Sequence, residues 1–258
     1  MKAVILAAGR PGPTFPDNSK QKTLYRIGGE VLLERIVNQL KEAGFEHIRI
    51  VTGYGAEGIE KFNRDRKLGL ELVYNLQWDG DPVESGRCGI KDLDEDILFV
   101  FSDILTSTEI FKKFRECKAP LAWIKQRFPW AEGFPDDEVF KADRNVSIVK
   151  IAKEKLTMFE EEAAEKYIAQ ITERCHPHMT YKGRLCNLLL EGMYRNGPVE
   201  EIEVQAIPDV DYYDRTDEGH LVSLVSKSAR TNEGDPGVRF FLFAGKVIIA
   251  GATYSIEV

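Results

Sequence analysis

Residues 1–33 read MKAVILAAGRPGPTFPDNSKQKTLYRIGGEVLL. Ala3 to Ala8 is a short apolar run with the length of a central strand. It stops abruptly at Gly9, Pro11, Gly12 and Pro13, which force irregular backbone at the strand's carboxyl end. Open α/β sheets bind their ligands at that edge. Arg10, Lys20 and Lys22 bring positive charge to the loop, and the N–H groups it leaves unpaired can face phosphate oxygens. The stretch therefore reads as a site for a nucleotide's phosphates, against the plainer reading of a strand exit with solvated basic residues. Spacing excludes two better-known phosphate loops. Pro11 and Thr14 occupy the second and third glycine positions of Gly-x-Gly-x-x-Gly, and the Gly-Lys pair at Gly245-Lys246 is followed by Val247 instead of Ser or Thr.

Three pieces in fixed order, Leu6-Ala7-Ala8-Gly9, Lys22-Thr23-Leu24 and Gly29-Glu30-Val31-Leu32-Leu33, resemble the opening of the nucleotidyltransferase superfamily. The usual form there is LAAGxGxR, then Pro-Lys-x-Leu, then Gly-Lys-Pro-Leu-Leu. This chain departs from it by placing Pro11 where glycine is usual and Pro13 near the usual arginine, while supplying Arg10 and Gly12. Proline lacks an N–H donor, so some backbone contacts to phosphate are missing. The resemblance implies that Leu6, Ala7, Ala8, Gly9 and Gly12 hold the nucleotide and that Lys22 and Arg10 are the catalytic cations.

Composition fits a cytoplasmic α/β enzyme. At 258 residues the chain is long enough to bury a sizeable core. No apolar run approaches the roughly 18 residues of a membrane span. The segment after Met1-Lys2 is too short for a secretory signal and reads as part of the fold. A formal charge of −7 without a basic tract argues against a nucleic-acid binder. Cys88, Cys117, Cys175 and Cys186 lack zinc spacing and read as free thiols of a reducing compartment; Cys175-His176-Pro177-His178 suits a loop between helices better than a metal site.

Strand and helix patterns then alternate, which predicts a mostly parallel sheet. Leu33, Ile36, Val37, Leu40 and Ala43 form one helical stripe with Gly44 at the C-cap position, and 47–52 and 70–74 read as strands. Next comes Tyr74-Asn75-Leu76-Gln77-Trp78-Asp79-Gly80, then Ser85 and Gly89. This resembles the segment that frames nucleobase and ribose in the cytidylyltransferase-like and molybdopterin-nucleotidyltransferase-like branches, which implies binding roles for Asn75, Gly80 and Ser85. Trp78 could equally be a packing residue and Ser85 an N-cap.

Asp96 to Asp103 is a buried apolar strand that ends in a carboxylate on the same sheet edge as Gly9. A carboxylate there is costly unless a cation compensates it. The resemblance implies that Asp103 binds Mg2+; an N-cap before a helix over 106–114 is the alternative. A second acidic segment, Asp209-Val210-Asp211-Tyr212-Tyr213-Asp214, resembles the family's closing unit, in which Asp211 aligns with a second metal ligand. Asp209 and Asp214 stay open for that role, as does a solvated acidic turn.

The expected fold is a three-layer α/β/α sandwich with a mostly parallel mixed sheet, of the GT-A nucleotide-diphospho-sugar transferase type. Residues 1–225 form the catalytic domain, with an acceptor-site insertion at about 125–196. Within it 138–141 and 146–151 read as a hairpin, 157–174 as a charged helix, and Lys125, Arg127, Lys150 and Lys153 as cations for the acceptor's phosphate. Residues 226–258 form a β-hairpin extension around Gly245, read as an added edge or oligomer contact. The implied reaction transfers a nucleoside monophosphate, CMP first, from a nucleoside triphosphate (CTP favoured) to a small phosphate monoester such as a sugar phosphate or phospho-amino-alcohol. A GT-A glycosyltransferase and a nucleotide-binding regulator that has lost its chemistry are the other readings.

Overall fold

A computed structural model describes residues 1–11, 21–27, 30–127, 146–174 and 184–205, together with strand segments at 213–215, 221–225, 239–243, 246–249 and 252–255. Gly12, Lys20, the 138–141 arm of the expected hairpin, the Cys175–His178 run, Asp209 and Asp211 lie outside these residues.

The first apolar run forms β1 (Lys2–Ala7), the middle of a seven-stranded sheet. It lies between β4 (Ile48–Thr52) and β6 (Ile97–Phe101) and is parallel to both, with Ile5 opposite Ile50 on one side and Val100 on the other. The order is β5-β4-β1-β6-β8-β7-β9, where β5 is Glu71–Tyr74, β7 Leu121–Arg127, β8 Ile148–Ile151 and β9 Glu200–Gln205. Only β8 runs against the rest; β9 returns to the common direction beside β7. The mostly parallel mixed sheet is thus as the alternating pattern implies, and a short ribbon of β2 (Arg26–Ile27) and β3 (Glu30–Val31) follows the first loop.

Successive side chains of a strand face opposite ways, and the core divides accordingly. Ala3, Ile5 and Ala7 point to one face and pack with Leu33, Ile36 and Leu40 of α1 (Leu32–Glu42), Ile59 of α2 (Ala56–Arg66) and Phe111 and Phe114 of α4 (Thr108–Glu116). Val4, Val51 and Phe99 point to the other, beneath α3 (Val83–Ile90), α5 (Glu161–Arg174) and α6 (Arg184–Asn196). These are the three layers. The α1 stripe is buried as its spacing requires, and Gly44 takes the left-handed backbone (φ 88°) that stops the helix. The charged helix begins later than the sequence pattern implies, because Lys153–Phe159 is a 3₁₀ segment that drives Met158 and Phe159 into the core.

Gly89 has a packing role. A Cβ there would lie 2.7 Å from Val4 Cγ1, so the absence of a side chain lets α3 sit close on the sheet.

A separate five-stranded antiparallel sheet contains β10 (Tyr213–Arg215), β11 (Leu221–Val225), β12 (Arg239–Phe243), β13 (Lys246–Ile249) and β14 (Ala252–Ser255). The hairpin across 244–245 is present, but the run read as a single strand over 246–253 is two strands. Because β10 and β11 belong to this sheet, its hydrogen bonding reaches into the segment ahead of residue 226. Among the described residues no helix is long and apolar enough to cross a membrane.

Candidate active site

The carboxyl ends of β1, β4, β5 and β6 open into loops around one cleft of about 190 Å³. Leu6 to Gly9 form its floor, Lys22 and Asp103 one side, and Trp78, Ser85 and Leu185 the other. Backbone bonds join the loops: Tyr54 N–H donates to the Ala8 carbonyl (3.0 Å), Ser102 N–H to Leu6 (3.3 Å) and Asn75 N–H to Thr52 (2.8 Å). The Gln21 side-chain amide, almost wholly buried, donates to the Tyr54 carbonyl and holds the lysine segment against the second loop.

Lys22 follows directly, and its ammonium is ion-paired with the Asp103 carboxylate, a contact between segments 81 residues apart. Both side chains keep about a fifth of their surface, 19% and 20%. The helix-cap reading of Asp103 fails on position, because α4 opens at Thr108 with Ser107 as its N-cap. Asp103 instead sits just past the end of β6, where it lines the cleft.

Arg10 is exposed, with its guanidinium carbon 5.4 Å from the centre of the Tyr54 ring. Tyr54 in turn meets Trp78, the ring centres 5.3 Å apart at 59°. Gly53 makes this closeness feasible. A Cβ there would fall 2.3 Å from Trp78 Cβ and 2.8 Å from the Ala8 carbonyl oxygen. Gly9 is the reverse case: apart from its own chain neighbours, a Cβ would meet no atom of the described residues within 4 Å.

Asn75 is buried and organises its own loop. Its amide NH2 donates to Ser85 Oγ (3.1 Å) and its oxygen accepts from Gln77 N–H (2.9 Å). Gly80 closes the following turn, its N–H donating to the Gln77 carbonyl (3.0 Å). Ser85 is not the cap of α3; it lies in the first turn, with its N–H donating to Pro82 O, while Asp81 Oδ1 accepts from Val83 N–H (2.9 Å). Asp81 has a second partner that sequence reasoning missed: Arg184, the first residue of α6, donates Nε–H to Asp81 (2.9 Å) and Nη2–H to Glu165 of α5 (2.6 Å). One arginine therefore ties the loop before α3 to both α5 and α6.

The other expected cations lie elsewhere. Lys150 is buried and donates to the Cys117 carbonyl (2.7 Å), and Lys153 pairs with Asp94 (3.1 Å), both at the amino end of β6. Lys125 pairs with Glu201 on the sheet's far side, and Arg127 ends β7. Asp214 belongs to β10 of the second sheet.

The donors at the cleft fit a hard dication. Magnesium is commonly held by one or two carboxylates plus substrate phosphates, with waters retained. Asp103 supplies a carboxylate and Ser102 lies beside it; among the described residues no three His, Cys, Asp or Glu gather as a closed cage.

Residues 3–132 match the family described as MobA-like NTP transferase domain. The UTP–glucose-1-phosphate uridylyltransferase AglF of Haloferax volcanii is 27% identical over 137 residues, 51% of this chain and 56% of that protein. The chain thus matches just over half the length of this relative. Among solved structures the chain resembles the inositol-1-phosphate CTP transferase from T. maritima, with a TM-score of 0.58, 15% identity, and coverage of 82% of this chain and 89% of that one. A nucleotidyl transferase from Methanothermobacter thermautotroptrophicus gives a TM-score of 0.55 at 17% identity, covering 79% and 86%. At such identities the likeness is one of fold.

Proposed function

The chain belongs to the family of MobA-like NTP transferase domains, and on that premise we propose that it transfers a nucleoside monophosphate, CMP before others, from a nucleoside triphosphate to a small phosphate monoester. The observation that carries this reading is the meeting of Lys22 and Asp103 above the Leu6–Gly9 floor, one cation and one carboxylate at the carboxyl edge of a parallel sheet. Phosphoryl-type transfer requires positioning and charge neutralisation and no nucleophilic side chain. An oxygen of the acceptor's phosphate attacks the α-phosphorus, the α–β bridging P–O bond breaks, and pyrophosphate leaves with that oxygen.

In this reading the open face of Gly9 admits phosphate oxygens close to the backbone. Lys22 opposes charge that builds on the α-phosphate and the bridging oxygen, where a fixed cation is most effective. Arg10 reaches the outer phosphates. Trp78, Asn75, Gly80 and Ser85 frame the base and ribose. Asp103, with Asp211, would hold Mg2+, whose contribution when bound is charge neutralisation on the same phosphates. The insertion at about 125–196 supplies the acceptor side, and the second sheet serves as an oligomer contact.

Pyrophosphate release separates the alternatives. CTP, UTP, GTP and ATP would each be incubated with Mg2+ and a panel of phosphate monoesters. Acceptor-dependent pyrophosphate supports the reading, and CTP leading the four supports the CMP preference. Nucleoside diphosphate from a nucleotide sugar would instead identify a glycosyltransferase, and binding without either product a regulator.

A further inference from the structure

Gln21 stands immediately before Lys22, where the pattern this segment resembles carries proline. Its backbone lies at φ −63° and ψ 138°, and proline's ring locks φ near about −65°. Glutamine has no ring to hold that conformation. Gln21 occupies the N-cap position of the 3₁₀ turn Lys22–Leu24, yet its side chain makes no capping bond. The amide instead donates to the Tyr54 carbonyl, 33 residues away, and the residue is only 2% exposed. Resting on the function proposed above, we propose that Gln21 is a positioning residue for Lys22, its bond to Tyr54 restraining the chain through tertiary structure as proline would through its ring.

The bond is one link in a longer tie. Tyr54 N–H donates to the Ala8 carbonyl (3.0 Å), so the connection runs from the floor of the cleft through Tyr54 and Gln21 to the backbone of Lys22. On the other flank Thr23 is wholly buried. The turn itself closes with Leu24 N–H donating to the Gln21 carbonyl (3.0 Å) and Tyr25 N–H to the Lys22 carbonyl (3.1 Å). The Lys22 backbone is thus held on both sides, and its ammonium starts from a fixed point beside Asp103. A cation fixed where charge develops needs no reorganisation at the moment of reaction, and a displacement of about 1 Å can cost about a hundredfold in rate. Gln21 therefore bears on turnover through the lysine that follows it.

Gln21→Met keeps the length of the buried side chain and removes the donor. Acceptor-dependent pyrophosphate release should fall at least about tenfold in kcat, with the triphosphate KM moving less than about threefold, because the lysine's charge counts most in the transition state. Gln21→Pro lacks the amide but restores the restraint on φ, and among the described residues the Gln21 N–H enters no backbone hydrogen bond that proline would break. It should turn over at least about threefold faster than Gln21→Met. In a Lys22→Met background Gln21→Met should cost less than about twofold, because a residue acting through Lys22 then has nothing left to position. If Gln21→Met fails to fold, Gln21→Ala carries the same expectations. A lowered Tm with kcat unmoved would make Gln21 a stability residue and overturn the proposal. So would a loss that persists in full without the Lys22 ammonium, which would make Gln21 a direct substrate contact, and so would Gln21→Pro no faster than Gln21→Met. These outcomes leave the functional reading standing, whereas wild type that releases no acceptor-dependent pyrophosphate from any of the four nucleotides overturns that reading and the inference together.

Discussion

Gly53→Ala is the substitution whose cost can be worked most directly from the structure. Gly53 lies at the carboxyl end of β4, buried between the first loop and the aromatic wall of the cleft. An added Cβ would stand 2.3 Å from Trp78 Cβ, 2.9 Å from Trp78 Cγ and 2.8 Å from the Ala8 carbonyl oxygen. Ordinary carbon contacts begin near 3.5 Å, so Trp78 must retreat by about 1.2 Å. The first clashing atom is Cβ, which no side-chain rotation can move, so the 75–80 turn shifts with it. The Ala8 carbonyl cannot yield freely, because it accepts the Tyr54 N–H. Overpacking of this kind typically costs about 1–3 kcal/mol, and the lower chain entropy of alanine in the unfolded state offsets about 0.4–1 of it. A net loss of about 1–2 kcal/mol lowers Tm by about 2–8 °C in a chain of this size. Function should suffer more than stability, since misplacement by about 1 Å can cost about a hundredfold in rate. Thermal unfolding by circular dichroism and pyrophosphate release on the same preparation measure both. A variant with unchanged Tm and full turnover would refute the packing argument and the place of Trp78 in the site.

Gly9→Ala is the complementary case: with no atom of the described residues, its chain neighbours aside, within 4 Å of the new Cβ, Tm should hold within about 1 °C while triphosphate KM rises at least about tenfold, and an unchanged KM would remove phosphate from that part of the cleft. If Asp103 and Asp211 share one metal, Asp103→Asn and Asp211→Asn should each lose nearly all turnover and the double variant little more; multiplying losses would direct the search for the second ligand to Asp209 or Asp214. Glu71 is held below the ordinary glutamate range chiefly by the Arg49 hydrogen bond (2.9 Å), opposed by partial burial and helped by Lys2 (2.6 Å). A depressed folded pKa contributes stability above the unfolded value, near 4.3, and loses it as pH falls through the folded one. Glu71→Gln should therefore lower Tm at pH 7 and match wild type once pH drops well below 4, whereas an equal deficit at both pH values would assign the loss to packing.

What the sequence determined by itself is everything carried by local periodicity and chain punctuation. Ala3 to Ala8 had to be an interior strand because its residues are apolar on both faces and end at glycine and proline. Leu33, Ile36, Val37 and Leu40 had to share one buried helical face. The Gly/Pro-rich loop after β1, the lysine segment and the strand ending at Asp103 were legible for the same reason, each being a short pattern complete within a few neighbours. The tertiary structure decided which of these meet. Asp103 could be read as a cap or a ligand until Ser107 proved to hold the cap position and Lys22, 81 residues away, proved to hold the carboxylate. Lys150 had the right charge, but the antiparallel course of β8 carries it to the wrong end of the sheet. The Arg184–Asp81 bond spans 103 residues. Gly53 looks like any glycine after a strand, and only the approach of Trp78 from another loop makes it irreplaceable. Side-chain spacing within one element follows from backbone geometry, which a sequence carries openly; a partner across the sheet is chosen by the packing of the whole chain.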